Sequence, residues 1–104
     1  MTVPAILTVR ARQELAAAPR RIADHNPDAA ERLYAVVQEA ARRIGANPGL
    51  GARRPQLASA RYRFWSLPRY HYLLAYTDAT DPPRIVRIVH TAQDLPRVLA
   101  DLLD

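Results

Sequence analysis

The chain has 104 residues, no cysteine, and fifteen basic residues that are all arginine. That length fits one domain, and the missing cysteine excludes disulfides and thiolate metal sites. With a formal charge of +5 and a sequence pI near 10.4, the balance points to an acidic partner, either nucleic acid or an acidic protein segment.

The start "MTVPAILTV" has neither a basic leader nor a long apolar run, and no segment approaches the length of a membrane span. A cytoplasmic location is the expectation. "AILTV" at residues 5–9 reads as a first strand, short and ending β-branched. In residues 10–25, Ala11, Leu15, Ala18 and Ile22 share one helical face. Pro19 removes a backbone donor there, so a kink or break is expected near it.

Asn26-Pro27-Asp28 reads as the start of a second helix. Asn26 is the cap, Pro27 suits the first turn and Asp28 faces the positive end of the helix dipole. Ala30, Leu33, Tyr34, Val37, Ala40, Ala41 and Ile44 form its apolar stripe. Asp28–Arg32 and Glu39–Arg43 are i,i+4 pairs with the acid first. Gly45 and Pro48 are read as its stop. Residues 45–60, rich in Gly, Pro and Arg, exceed the usual connection length, which suits either a functional loop or a crossing over the sheet edge.

Three strands follow: "RYRFWSL" at 61–67, "YHYLLAYT" at 70–77 and "RIVRIVH" at 84–90. Their short connections predict an antiparallel meander. The last is apolar on nearly both faces and so is placed centrally, covered on both sides. Tyr72, Leu74 and Tyr76 take one face of the middle strand, Leu73 and Ala75 the other. Leu95, Val98, Leu99, Leu102 and Leu103 keep helical spacing. A cap at Thr91 would put Pro96 where a donor is needed. A cap at Asp94 puts it at the second helical position, where none is needed. The fold class is therefore α+β, in the order β-α-α-β-β-β-α, with a helical hairpin packed on an antiparallel sheet and a short C-terminal helix.

Candidate chemistry is narrow. His25, His71 and His90 lack ligand spacing, so no metal is expected. No phosphate-loop or nucleophile-elbow signature occurs, and no cofactor is expected. Arg53, Arg54, Arg61, Arg63, Arg69, Arg84 and Arg87 interleave with Trp65, Tyr70, Tyr72 and Tyr76. Such a surface can bind RNA by charge and stacking, and His90 as acid or base would let it cleave. The plainer alternatives are tyrosines that pack, a histidine that closes a strand corner, and an Arg63 that pairs with Asp94 or stacks on Trp65.

Five segments in order resemble one family. They are "ARQEL" (11–15), "NPDAAERL" (26–33), "NPGLGARRPQL" (47–57), "RFWSLPRYHYLLAY" (63–76) and "IVRIVHTAQDLP" (85–96). They resemble the ParE-type toxins of the RelE/ParE superfamily, from bacterial type II toxin–antitoxin modules, and span nearly the whole chain as one domain, 1–104. Gln93 and Thr91 stand where the family usually has arginine and glycine.

The resemblance implies a plasmid- or chromosome-borne stabilisation toxin that blocks DNA gyrase. It would be neutralised by a cognate antitoxin with an acidic tail that folds on binding. RelE-type relatives instead cut mRNA in the ribosome, which here would enlist His90 with Arg54, Arg61 and Arg63. The absence of lysine, and of any tyrosine after Tyr76, favours the ParE side. Arg53, Arg54, Arg63, Trp65, Arg69, His90 and Asp94 are the expected target- or partner-binding residues.

Overall fold

In a computed structural model, which describes residues 2–23 and 27–103, a four-stranded sheet separates two apolar clusters. The strands are β1 (Ile6–Leu7), β2 (Tyr62–Leu67), β3 (Tyr72–Thr77) and β4 (Arg84–His90), and the long helices are α1 (Val9–Ala23) and α2 (Pro27–Ala46). The spatial order is β1-β4-β3-β2. β2, β3 and β4 form the expected antiparallel meander, while β1 joins β4 in parallel at the edge.

The first strand is shorter than its apolar run suggests, because Thr8 is already a helix cap. Its hydroxyl accepts a hydrogen bond from the Ala11 amide at 3.2 Å, which satisfies one orphan donor of α1. α1 is continuous through Pro19, so no break occurs there. Ala11, Leu15 and Ala18 are buried as expected. The cap assigned to Asn26 lies outside the described residues.

On α2, Leu33, Val37, Ala40, Ala41 and Ile44 are buried, and a fully buried Leu or Ile contributes about 1.5–3 kcal/mol. Tyr34 is not part of that core; it is 46% exposed. Glu39 pairs with Arg42 rather than Arg43, and no Asp28–Arg32 ion pair forms among the described residues. Gly45 is not the helix stop. The helix passes through it, and a Cβ there would stand 2.1 Å from the Val3 carbonyl oxygen. The N-terminal segment crosses α2 at that point, and only glycine leaves room for it.

β3 is buried on both faces, with the two faces divided as the alternation requires. Tyr72, Leu74 and Tyr76 pack under the helical hairpin, whereas Leu73 and Ala75 face the C-terminal segment. β4 lies between β1 and β3. A register shift opposite Ala75 and Tyr76 skips Val86, so Ile85 and Ile88 both reach the helical side.

The C-terminal helix is shorter than its spacing suggests. α3 covers Leu95–Val98 and a 3₁₀ turn covers Ala100–Leu102. Asp94 occupies the cap position with Pro96 in the first turn, as reasoned, yet its side chain makes no capping bond. Its carbonyl instead accepts from the amides of Arg97 and Val98 at 3.1 and 2.9 Å.

Candidate functional site

The long loop between α2 and β2 is anchored from the sheet. Tyr76 is fully buried; its hydroxyl accepts from the Gly51 amide and donates to the Pro48 carbonyl, both at 2.7 Å. Burial pushes the Tyr76 phenol above the usual tyrosine value. A Cβ on Gly51 would lie 2.7 Å from both the Phe64 carbonyl oxygen and the Tyr76 ring. Arg63 completes the anchor: Nε donates to Asp78 at 3.0 Å and Nη1 to the Gly51 carbonyl at 2.9 Å. Arg63 therefore pairs with Asp78, not Asp94, and does not stack on Trp65.

Beyond the anchor, Ala52 and Phe64 exchange two backbone hydrogen bonds, 3.0 and 2.8 Å. Arg53 Nε donates to the Ala60 carbonyl at 3.0 Å, which sets it beside Arg61. The Arg54 guanidinium lies 5.9 Å from the centre of the Phe64 ring. These three arginines thus gather at the β2 edge. Trp65 and Arg69 lie elsewhere, in a groove of about 340 Å³ between α2 and the 3₁₀ turn at Pro68–Tyr70. Arg43 covers the Trp65 ring at 5.2 Å.

His90 sits at the other end of the sheet. Its ring meets Tyr72 edge-on at 5.1 Å, and its Nδ1 accepts from the Ala92 amide at 3.0 Å. Gln93 Oε1 accepts from the His90 amide, so the glutamine closes the strand end. Thr91 donates both its amide and its hydroxyl to the His71 carbonyl. Asp94 is exposed beyond that turn. His90 is registered with Tyr72 and Arg63 with Tyr76. Strand rise and spacing then separate the two backbones by about 16 Å. The structure brings Arg53, Arg54 and Arg61 together, and it leaves His90 and Asp94 apart from them.

Two further features carry little signal in the sequence. Arg87 is 4% exposed within β4. Its Nε and Nη2 donate to the Glu14 carboxylate at 2.9–3.1 Å, and its Nη1 donates to Asp101 and to the Val98 carbonyl. Glu14 also accepts from the Ile88 amide at 2.9 Å, covering the β4 edge that short β1 leaves open. Only an arginine inside an apolar run hinted at this. The second is a groove of about 570 Å³ between β1 and the hairpin, with Ile6, Leu7, Leu15, Tyr34 and Val37 among its lining. Exposed Ile6 and Tyr34 open onto it, and Arg12 and Arg42 also line it.

Residues 5–95 match the family model described as "ParE toxin of type II toxin-antitoxin system, parDE". The chain belongs to this family. No curated protein matches the chain. Membership of the ParE family makes the chain a toxin of a type II toxin–antitoxin pair and implies a cognate antitoxin. Among the described residues of this ParE-family toxin, no helix is long and apolar enough to cross a membrane. No cluster of His, Cys, Asp or Glu among them could hold a metal ion.

Proposed function

We propose that this ParE-family toxin acts in the cytoplasm on DNA gyrase, as a plasmid or chromosomal stabilisation factor held inactive by its antitoxin. The carrying observation is the family match over residues 5–95. The dispersal of the candidate nuclease residues supports the same reading. Arg63 is committed to Asp78 and Gly51, and His90 lies at the opposite end of the sheet. General acid–base cleavage needs its groups within hydrogen-bond reach of one scissile site.

The groove between β1 and the hairpin is the proposed antitoxin seat. It is apolar along its floor, with Ile6 and Tyr34 exposed, and has Arg12 and Arg42 in its lining. That combination suits an amphipathic acidic helix that folds on binding, with apolar anchors facing the floor. Purified toxin at micromolar concentration is expected to stop gyrase from supercoiling relaxed plasmid, and added antitoxin is expected to restore it. Unimpaired supercoiling at that concentration overturns the gyrase reading.

A further inference from the structure

Between Glu39 and Asp78 the chain has no carboxylate and seven arginines. Two of the seven are neutralised where they stand: Arg42 by Glu39 and Arg63 by Asp78. Arg53, Arg54 and Arg61 have no ion-pair partner among the described residues. All three lie on one stretch at the β2 edge, with Arg53 held beside Arg61 by its bond to the Ala60 carbonyl. Arginines on neighbouring backbone with no carboxylate beside them give this edge a local positive charge, which a polyanion would meet.

The platform beneath them is fixed. Tyr76 and Arg63 hold Gly51, and the Ala52–Phe64 bridge holds the next residue. The amides of Leu57 and Ala58 both donate to the Arg54 carbonyl, at 2.9 and 3.0 Å, and both side chains are buried. The Ser59 amide donates to the Leu102 carbonyl at 2.8 Å. The three arginines therefore stand on preorganised backbone, which lowers the ordering cost of binding.

The surroundings decide what kind of anion fits. The apolar grooves line other parts of the molecule, so an acidic peptide would find no apolar anchor beside these arginines. Single-stranded nucleic acid is held by stacking on exposed aromatics. Here Phe64 is buried and Tyr62 only half-exposed. Charge without stacking or pockets suits contact with the phosphates of a duplex backbone, which asks for neither.

We infer that Arg53, Arg54 and Arg61 form a binding surface for the phosphates of duplex DNA. It lies at the sheet edge opposite β1 and the proposed antitoxin seat, so antitoxin in that seat leaves it open. The inference goes beyond the gyrase reading and does not depend on it.

The test is fluorescence anisotropy of purified toxin with a labelled 20-base-pair duplex of arbitrary sequence, across a salt series and with no gyrase present. Each phosphate contact contributes about 0.9 to the slope of log K against log salt. The triple variant R53Q/R54Q/R61Q should lower the slope by about 2.7, which corresponds to about 40-fold of salt-sensitive affinity between 50 and 200 mM. Each single variant should lower it by about 0.9. Arg84→Gln and Arg97→Gln should leave it unchanged. Should the triple variant lose its fold, the exposed singles Arg53→Gln and Arg61→Gln decide the matter. An unchanged slope in the variants overturns the inference. So does tighter binding to a single strand of equal charge, or loop-dependent binding of poly-glutamate without binding of the duplex.

Discussion

The ion cluster around Arg87 makes an asymmetric prediction about stability. Arg87 has 5% of its side chain exposed, Glu14 22% and Asp101 44%. Removing one partner of a buried pair costs about 3–5 kcal/mol, most of it for the charge left behind. Glu14→Ala leaves the buried guanidinium with Asp101 and the Val98 carbonyl, so the low end applies, about 3 kcal/mol. It also strips the Ile88 amide of its acceptor. An orphaned buried donor adds at least about 1 kcal/mol, and the total is about 4 kcal/mol.

Arg87→Met is milder. Glu14 keeps the Ile88 amide and is partly exposed, Asp101 keeps Arg10, and methionine fills much of the arginine stem. A cost of about 1–2 kcal/mol is expected. The double variant Glu14→Ala/Arg87→Met should cost at least about 1 kcal/mol less than the sum of the two singles, since the lone charge is gone. Urea unfolding followed by circular dichroism measures all three. A Glu14→Ala cost below about 1 kcal/mol, or an Arg87→Met cost exceeding it, refutes the reasoning.

The other predictions concern the loop anchor and the groove. Tyr76→Phe should lose about 1–3 kcal/mol, because the Pro48 carbonyl and the Gly51 amide both lose their hydroxyl partner. The same variant tests a pH effect. The folded-state phenol is raised above the unfolded value of 10.0. Its contribution is therefore complete below that pH and is lost as pH rises through the folded value. Wild type should lose more stability than Tyr76→Phe in melts taken above pH 10. Gly51→Ala should destabilise by about 1–3 kcal/mol, since its Cβ meets rigid backbone and a buried ring; an unchanged melting temperature counts against that packing. Ile6→Asp with Tyr34→Asp should leave the melting temperature unchanged and weaken antitoxin binding by tenfold or more in calorimetry.

Much of the fold is legible in the residues because local and global signals agree. The alternation in Tyr72–Thr77 gave both of its faces, and the bounds of Arg84–His90 match the apolar run. Pro96 marks the last helix, which starts at Leu95 with Asp94 at its cap position as expected. What was hidden depends on partners distant in sequence. Thr8 caps a helix while its hydroxyl also reaches the Val86 carbonyl, 78 residues away. Gly45 resembles a helix stop, yet it is small because another segment crosses it. Tyr34 fits an apolar stripe, yet it stands exposed at the lining of a groove. For the candidate site, residue types were readable and their grouping was not. Nothing local shows that Arg63 turns inward to Asp78 or that Arg53, Arg54 and Arg61 converge.

The most direct measurement of the central claim follows nucleotide and amino-acid incorporation in cells after toxin is induced without antitoxin. Gyrase poisoning should halt thymidine incorporation first and leave broken chromosomal DNA, with leucine incorporation falling later. Leucine incorporation that falls first, with DNA intact and messages cut at the ribosome, would contradict it.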